Sequence, residues 1–542
     1  MWQPYRLVYL LLFNQILLIS IYSAKTSDQF RENLIIKPLP DGKVLTHFEF
    51  SIHSSNVDES DYDLFPRSIG QIFQTYKARE LHLTFTQGRW NYEGWGYPIA
   101  PSAGTGVELW AWLWKNENLD KNWRSLTNAL AGVFCASLNF IDERSTVQPR
   151  LSFRPEGVYI DSELFNSAEL RYGSLPHENV CTENLTPWLK LLPCKSKAGI
   201  SSLLNSHKLY NSNFHSMSVH VQPVCQQKEC HNSQLEILQT VSTVFDPVRE
   251  SGKRDWSLYQ LFDRDITRAC PLAIESNIVL MLPEVEDYSI DPEPFSIQTV
   301  DSTKRRFGVY DLTKSKTNFK LMMKWKEAFF EYDINPIQPD VYAHRYFTGF
   351  GQEHGGIKVN LFNRNPTNSI NIQYCDVIPW YLRLYMHTLK VTVNGNEISS
   401  GPSYPIKQLF YQLAVDRSRP SVMEANISLP ADTITTLSIE FDKAFIKYTE
   451  HPPDANRGFD VGSAVITTLS KAESKWDSIL YQQTQDGIYT ETLLISLPTP
   501  DFSMPYNVIT LTCTVIALFF GSMFNLLTRR FVALDSENRD KK

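Results

Sequence analysis

The sequence has no surplus of basic residues. Its 542 residues include 52 Lys and Arg against 59 Asp and Glu, so the formal net charge is −7. A protein that binds nucleic acid needs a basic surface to contact phosphates, so this balance argues against a nucleic-acid partner. The sequence also lacks a collagen period, a heptad array and a short repeat, which excludes fibrous, coiled-coil and solenoid architectures.

The local motifs of common catalytic sites are missing as well. The sequence contains no nucleophile elbow, no P-loop and no HExxH motif. His177 and Cys181 have the spacing of a nucleophile pair on one helix face, but no orienting Asn or Asp is identifiable. Carboxylate pairs of the kind used by glycosidases are too common to be informative; the candidates are Glu93, Glu108, Asp291 and Glu293. We therefore predict no catalytic residue, no cofactor and no metal site.

What the chain does contain is enough apolar sequence for a sizeable core. Apolar residues make up 42% and charged residues 20%, and the length suits one to three domains. Aromatic residues reach 13%, with 25 Tyr and 31 Phe, which favours strands over helical bundles. Wholesale disorder is excluded by the same composition.

Both ends of the chain indicate a membrane protein of the secretory pathway. Residues 1–24 have Arg6, an apolar run and small residues at 23 and 24, the pattern of a cleaved signal peptide. Residues 508–527 carry no charge and are long enough to cross a bilayer as a helix. Arg529 and Arg530 follow directly, so the positive-inside rule places the tail, 528–542, in the cytosol. These features predict a type I single-pass protein with a large lumenal part.

The lumenal part is predicted to be mainly β, as two antiparallel, sandwich-like domains with a few helices. Strand-like alternation occurs in 80–85, 241–246 and 435–450, and 384–399 has an Asn394-Gly395 hairpin turn. We expect helices at 107–114 and 256–266. The acidic, proline-containing segment 283–295 has neither pattern and indicates a boundary. The predicted organisation is domain 1 at 25–285, a linker at 286–304, domain 2 at 305–495 and a stalk at 496–507.

The number of cysteines leaves at least one thiol unpaired. Cys513 lies in the predicted span, and seven cysteines remain in an oxidising compartment. Cys135 and Cys375 lie in apolar segments and suit buried free thiols. Cys181 lies in the polar segment HENVCTENLTPW, so it is expected to be exposed, and an interchain disulfide is favoured there. Cys225 with Cys230 is a candidate local disulfide; Cys194 with Cys270 is a second candidate, reached by elimination.

Zinc and N-glycans are the modifications that the sequence leaves open. A His/Cys run could be interpreted as zinc ligands, although its spacing fits no established zinc motif; it comprises His215, His220, Cys225, Cys230 and His231. Acceptor sequons begin at Asn184 and Asn426. We predict N-glycosylation at both asparagines.

Two aromatic segments remain as candidate contact surfaces. Residues 87–114 hold five tryptophans and five glycines, which suits either a glycan- or partner-binding loop or a packed core cluster. Residues 496–508 hold three prolines, which suit an extended stalk. Phe502 and Tyr506 would lie at the headgroup level, and Asn525 within the span could contact a partner helix. These three residues are candidate lipid or partner contacts.

Several long segments together resemble the PIG-T subunit family of the GPI transamidase. The matching stretches are ELHLTFTQGRWNYEGWGYP (80–98), FCASLNFID (134–142), CTENLTPWLKLLPCKSKAG (181–199), DWSLYQLF (255–262), VIPWYLRLYMHTL (377–389) and LPTPDFSMPYNVITLTCTV (497–515). Their length and common order make the resemblance more specific than a short motif.

The resemblance implies a non-catalytic scaffold subunit in the endoplasmic reticulum membrane. It implies a disulfide from Cys181 to a cysteine-protease-like catalytic subunit, which attaches GPI anchors to proteins. Further implied partners are a peptidase-like subunit, a two-span subunit and a multi-spanning lipid-handling subunit, with the GPI lipid as a candidate contact. Two alternatives stay open on the residues alone: a lectin-like type I receptor, which the aromatic loops favour, and a hydrolytic enzyme.

Overall fold

The computed structural model describes most of the chain. The described residues are 28–54, 62–100, 102–157, 167–225, 234–284, 287–300, 305–314, 318–327, 329–331, 339–349, 351–452, 454, 456–468, 487–499 and 503–531. The predicted signal peptide, 1–24, and most of the predicted cytosolic tail, 528–542, lie outside these residues.

The first part of the described chain is built on one large sheet. Its strands and those of a small adjoining sheet are β1 (Gln29–Pro38), β2 (Val44–Ser54), β3 (Ala78–Gln87), β4 (Gly106–Trp114), β5 (Thr146–Val147), β6 (Ala168–Leu175), β7 (Phe214–Val224), β8 (Gln234–Phe245), β9 (Trp256–Ser257), β10 (Ala273–Leu282), β11 (Tyr288–Asp291), β12 (Ser296–Val300), β13 (Arg305–Asp311) and β14 (Met322–Trp325). Within the described residues, eleven strands pair in the order β12-β13-β10-β1-β2-β8-β7-β3-β4-β6-β5. Neighbours are antiparallel, with β1 and β10 the parallel pair. Strands β11, β14 and β9 form the small sheet.

The first part also contains helices, most of which cover one face of the large sheet. The helices are α1 (Arg67–Thr75), α2 (Tyr92–Trp95), α3 (Leu119–Phe134), α4 (Thr182–Lys190), α5 (Ser206–Tyr210), α6 (Pro247–Ser251) and α7 (Leu258–Phe262). The buried residues of α2 belong instead to the core of the second part, and α6 has no buried residue. In α3, Trp123, Leu126 and Leu130 are buried, the three-to-four-residue spacing of an amphipathic helix. They share a core with alternate residues of the strands, such as Leu83 and Leu109. This core fixes the helices, α4 included, against the sheet.

The second part of the described chain contains two further sheets. Its strands are β15 (Val341–Thr348), β16 (His354–Asn363), β17 (Ile370–Ile378), β18 (Leu382–Val393), β19 (Asn396–Glu397), β20 (Ile406–Gln412), β21 (Ser421–Leu429), β22 (Thr433–Lys443), β23 (Phe459–Val461), β24 (Val465–Thr468), β25 (Gly487–Tyr489) and β26 (Leu493–Ile495). In the described residues, β15-β16-β22-β18-β19 and β20-β21-β17-β24-β25 are five-stranded sheets, and β23 pairs with β26. Residues of both five-stranded sheets, such as Leu361 and Ile427, share one core. The predicted mainly β fold is thereby confirmed.

Most strand predictions are confirmed, and one helix prediction is wrong. The hairpin forms between β18 and β19, with Asn394 and Gly395 at positive φ. The segment predicted as a helix at 107–114 is strand β4. Its odd residues, such as Leu109, pack beneath the helices, whereas Trp110 belongs to a small cluster that includes Val422 of β21. Because both faces of this strand are covered, its residues are apolar on both sides. Such a continuous apolar run cannot be distinguished from a buried helix by its sequence pattern.

Two further segments differ from expectation. The helix predicted at 256–266 is limited to Leu258–Phe262, after the two residues of β9. The segment 283–295 was expected to lack strands, but Tyr288–Asp291 is β11. Beyond it, β12 lies within the predicted linker and pairs with β13 of the large sheet. The domain limits themselves stay a prediction.

Buried carboxylates join the two parts. The carboxylate of Glu424, on β21, accepts hydrogen bonds from the backbone N–H groups of Arg150, Leu151 and Ser152, at 2.6, 3.1 and 2.9 Å. The carboxylate of Glu108, on β4, accepts hydrogen bonds from the hydroxyl groups of Tyr172, at 2.9 Å, and Tyr489, at 2.6 Å. A buried carboxylate that accepts several hydrogen bonds is tolerated inside a protein, whereas an unpaired one is strongly destabilising. The bonds of Glu424 therefore join residues 150–152 to the second part, and the Glu108–Tyr489 bond joins β4 to it.

Glu108 makes stability depend on pH. Burial raises the pKa of Glu108 to about 7, although the Tyr489 and Tyr172 hydroxyls oppose the rise. The folded state therefore binds this proton more tightly than the unfolded state, whose carboxyl has a pKa near 4.5. The stabilisation is complete below pH 4.5 and is lost as pH rises through 7. Between pH 5 and pH 7, we expect the unfolding free energy of Glu108→Gln to fall by about 2 kcal/mol less than that of the wild type.

Urea unfolding of the folded chain at both pH values measures this effect. Glu32 has a pKa raised to about 7, again chiefly by burial, and keeps its own pH dependence in the variant. A variant whose pH dependence equals that of the wild type would contradict the role of Glu108.

One long apolar helix ends the described chain. Helix α8 (Ser503–Thr528) contains a stretch, Tyr506–Thr528, that is long and apolar enough to cross a membrane and has none of its surface buried in the protein. It begins at Ser503, so the second half of the predicted stalk is helical. Proline is compatible with a first helical turn, which is where Pro505 lies.

Candidate functional site

Cys181 is the N-cap residue of helix α4. Its backbone is extended, with φ −147° and ψ −174°, and its N–H donates to Oδ1 of Asn184 at 2.9 Å. This is one half of a capping box, in which the third helical residue reaches back to the N-cap backbone. The spacing of Cys181 and Asn184 thus places the cysteine at the start of a helix and leaves its thiol exposed.

Helix α4 is held firmly on the sheet. Leu185 and Trp188 are buried beneath it. The indole N–H of Trp188 donates to the Ser218 carbonyl of β7 at 2.9 Å, and Gln239 of β8 donates to the Trp188 carbonyl at 3.1 Å. Since apolar packing and hydrogen bonds both join the helix to two strands, the position of Cys181 is determined by the large sheet.

Asn184 connects the start of α4 with the end of α3. Its Nδ2 group donates to the carbonyls of Phe134 at 3.0 Å and Cys135 at 3.2 Å, and its side chain is buried. A glycan would have to be attached to this nitrogen, which the fold encloses. In the folded chain this amide joins α4 to the end of α3. Glycosylation of Asn184 stays a prediction.

Cys135 differs from its predicted environment. It is exposed and has a left-handed backbone, φ 52° and ψ 43°, where it ends helix α3. The expectation of a buried thiol is wrong because the apolar pattern of α3 stops at Phe134 and the chain turns outward. Cys135 and Cys181 are therefore two exposed thiols whose backbones are hydrogen-bonded to the same Asn184 side chain.

Tyr210 completes the support of the Cys181 backbone. Its hydroxyl donates to the Cys181 carbonyl at 2.6 Å. Burial raises the pKa of Tyr210 well above its usual value, and the nearby Cys181 adds to the rise, so the phenol stays protonated and can donate. Sequence reasoning missed Tyr210, because nothing in the local sequence shows that α5 returns to this helix end.

The other cysteines are bonded or buried. Cys194 and Cys270 form a disulfide, with their Cα atoms 6.0 Å apart, that ties the chain after α4 to the segment before β10. Cys225 is also disulfide-bonded, and its predicted partner Cys230 lies outside the described residues. Cys375 is a buried free thiol, as expected, and burial raises its pKa well above the usual value.

The zinc interpretation of the His/Cys run finds no support. His215 and His220 are five residues apart on β7, so their side chains point to opposite faces of the sheet. Cys225 is oxidised and cannot be a thiolate ligand. His231 lies outside the described residues. Across the part of the chain that the structure describes, no group of three or more metal-ligating side chains occurs.

His177 contacts Asp460 and Arg457. It does not form the nucleophile pair with Cys181 that the sequence spacing allowed. Its Nδ1 lies 3.2 Å from a carboxylate oxygen of Asp460, and its Nε2 lies 3.3 Å from Nη1 of Arg457. These contacts join the turn before Cys181 to the segment that leads into β23. The imidazole is therefore directed to the second part of the chain.

The aromatic cluster of 87–114 packs internally. Trp90, Tyr92, Trp95 and Trp110 are all buried. The indole N–H of Trp90 donates to the Gly96 carbonyl at 2.7 Å, which closes the loop on itself. Of the two interpretations left open, the structure favours the core cluster over an exposed sugar-stacking surface.

The remaining candidate contacts lie on or near helix α8 and on β21. Tyr506 is exposed and its hydroxyl is hydrogen-bonded to that of Tyr448. Asn525 is exposed on α8, and Phe502 lies outside the described residues. Asn426 of β21 is partly exposed, and its Nδ2 donates to Gln408 at 2.9 Å. Lipid or partner contact and the Asn426 glycan stay predictions.

The fold and the site define a class of protein. It is a β-rich protein with one helix long enough to cross a membrane and an exposed thiol on a fixed helix terminus. A family model described as the Gpi16 subunit, GPI transamidase component, matches residues 14–255 and 247–542. The chain belongs to this family of GPI transamidase components.

Curated relatives agree with this assignment. The chain is 43% identical over 539 residues to the GPI-anchor transamidase component PIGT of Mus musculus, covering 93% of this chain and 90% of the relative. It is 42% identical over 539 residues to the component of the same name from Homo sapiens, covering 93% and 91%. It is 33% identical over 586 residues to the GPI transamidase component GPI16 of Saccharomyces cerevisiae, covering 94% and 90%.

Proposed function

We propose that this chain is a non-catalytic scaffold subunit of the GPI transamidase in the endoplasmic reticulum membrane. Its large β-rich part is lumenal, α8 spans the membrane once and the short C-terminus is cytosolic. It holds the cysteine-protease-like catalytic subunit through an interchain disulfide at Cys181. It also contacts the peptidase-like, two-span and multi-spanning subunits. The observation that carries this proposal is the exposed, unpaired thiol of Cys181, whose backbone is hydrogen-bonded to Asn184 and Tyr210.

The cysteine inventory supports a bond to another chain. Cys194 and Cys270 are bonded to each other, Cys225 is bonded, and Cys375 is buried. An exposed thiol in an oxidising compartment is readily oxidised, and Cys181 faces outward from the sheet. A disulfide between two subunits raises their effective concentration toward each other. It therefore holds the subunits in position, and Cys181 needs no chemical role in the reaction.

Cys181→Ser and Cys135→Ser form a matched pair of variants for the test. Both remove one exposed thiol near Asn184, and both leave the buried core unchanged. On non-reducing electrophoresis of the purified complex, we expect the wild type and Cys135→Ser to give a heavier covalent species that collapses on reduction. Cys181→Ser should lose that species completely while the complex still assembles.

Transamidation by the same complexes tests the scaffold role. Because the disulfide fixes geometry, Cys181→Ser should weaken anchor transfer without abolishing it. Complete loss of activity in an intact complex would contradict the proposal and indicate a chemical role. Persistence of the heavier species in Cys181→Ser, with its loss in Cys135→Ser, would assign the bond to the other thiol.

A further inference from the structure

Helix α8 begins directly beside the second part of the chain. Tyr506, near the start of α8, has its hydroxyl hydrogen-bonded to that of Tyr448, which follows β22. Strand β26 ends at Ile495, so only a short connection leads from it to the start of α8 at Ser503. The apolar stretch of α8 that is long enough to cross a membrane starts at Tyr506. The segment around Tyr448 therefore lies at the level where α8 would enter a bilayer.

Two loops next to this contact carry exposed apolar side chains. Phe445, three residues before Tyr448, is 71% exposed, and Tyr448 is 45% exposed. In the turn between β20 and β21, Leu413 is 66% exposed and Val415 is 44% exposed. Single apolar residues scattered over a surface are normal, whereas a cluster of them on neighbouring loops marks an interaction site. We call these four residues the apolar loop patch.

Charged hydrogen bonds hold the two loops side by side. Arg417, in the turn between β20 and β21, donates through Nε and Nη2 to the two carboxylate oxygens of Glu450, at 2.7 and 3.1 Å. Glu450 also accepts a hydrogen bond from the backbone N–H of Lys447, at 2.7 Å. The guanidinium of Arg417 lies over the ring of the buried Trp380, 5.0 Å from its centroid. Because a bidentate pair of this kind is geometrically specific, the fold itself brings the two loops together into one surface.

The composition of the patch and its border suits the interface of a phospholipid bilayer. Tyrosine is enriched at the headgroup level, where its ring meets the acyl chains and its hydroxyl reaches water. Lys447 and Arg419 are exposed at the border of the patch. Such side chains lay their apolar stems along a membrane while their charges stay with the phosphates. A bilayer is also a partner whose position the chain itself sets, because α8 starts beside the patch.

We propose that the apolar loop patch rests on the lumenal leaflet of the membrane that α8 crosses. Phe445, Leu413 and Val415 enter the boundary between the headgroups and the acyl chains. Tyr448 stays at the headgroup level beside Tyr506. This inference rests on the proposed crossing of the membrane by α8 and adds a second contact with the lipid. Two contacts prevent the β-rich part from swinging about the start of α8, so its height and tilt above the membrane are set.

Photocrosslinking to lipid in the reconstituted complex tests this proposal. The photoreactive residue p-benzoylphenylalanine replaces Phe445 in one variant of the full chain and Leu413 in a second, so that each loop is probed. The purified complexes are placed in vesicles of radiolabelled phosphatidylcholine and irradiated. We expect labelled lipid on this chain in both variants, about fivefold or more above the level of a control probe at Phe295, because aromatic and apolar side chains at the interface touch lipid directly.

Phe295 is matched to Phe445 in residue type and is also exposed, at 54%. It precedes β12, which lies at the opposite edge of the large sheet from β5. The strands that lead into the patch lie on the β5 side, since the guanidinium of Arg150, shortly after β5, is 4.4 Å from the ring centroid of Phe410 on β20. A probe at Phe519, within α8, is the positive control and reports the membrane crossing itself.

The four probes separate failure of this inference from failure of the proposed function. Labelling at Phe519 without labelling at Phe445 and Leu413 would overturn the lipid contact and leave the membrane crossing intact. No labelling at Phe519 would overturn the crossing and, with it, this inference. Crosslinks from Phe445 to another subunit in place of lipid would assign the patch to a protein partner and overturn the proposal. Labelling at Phe295 as strong as at Phe445 would show lipid contact without a defined surface and would also overturn it.

Discussion

Asn184→Ala is expected to lower the free energy of unfolding by about 3 kcal/mol, because three backbone groups lose their partner at once. The carbonyls of Phe134 and Cys135 lose a donor, and the N–H of Cys181 loses its acceptor. The buried side chain also leaves a small cavity. Denaturant unfolding followed by Trp fluorescence measures the change.

The matched control for Asn184 is Thr186→Ala. It destroys the same glycosylation sequon, but Thr186 is exposed and its hydroxyl donates only within helix α4, to Thr182 at 2.9 Å. We expect Thr186→Ala to remain within about 0.5 kcal/mol of the wild type. Equal destabilisation by both variants, together with loss of a glycan, would show that the sequon is used and the amide brace is unimportant.

Arg345→Met should destabilise the second part of the chain by about 3–5 kcal/mol, the cost of leaving a buried carboxylate without its cation. Arg345 and Asp376 are both buried, and their closest N–O distance is 2.9 Å. A second guanidinium nitrogen donates to the Gly462 carbonyl at 2.6 Å, and Tyr374 donates to Asp376 at 2.9 Å. Burial raises the pKa of Asp376, and Arg345 opposes that rise. Thermal unfolding of the purified complex reports the loss.

An exposed ion pair in the same part of the chain is the control for Arg345→Met. Arg383 and Asp416 lie 2.6 Å apart, and their side chains are 56% and 49% exposed. Solvent screens such pairs, so Arg383→Met should cost less than about 1 kcal/mol. If both variants were equally mild, the buried pair would contribute little and the shared core alone would hold the sheets together.

The sequence allowed prediction of those features that depend on local patterns. Alternating apolar residues predicted β3, β8 and β22, and the Asn394-Gly395 turn predicted the β18–β19 hairpin. The charge-free run near the C-terminus predicted the long apolar helix α8 to within a few residues. In each case the signal lies within about twenty consecutive residues.

Features that depend on distant contacts could not be predicted in this way. Strand β4 was mistaken for a helix because its second face is covered by the far part of the chain. The hydrogen bond from Asn184 to the end of α3 spans 50 residues, so nothing in the local sequon indicates it. The exposure of Cys181 was anticipated from its polar surroundings, but the Tyr210 bond that fixes its backbone was not.

The parallel pairing of β1 with β10 has a consequence for the newly made chain. Phe30 pairs with Ala273, so one edge of β1 stays unpaired until residues more than two hundred positions further along the chain have been synthesised. At about 5–20 residues per second, the ribosome needs roughly 10–50 s to deliver them. Throughout that interval a hairpin of β1 and β2 would display an open backbone edge, which is a hazard for misassociation. Nascent chains of this protein should therefore depend on chaperones until β10 has emerged.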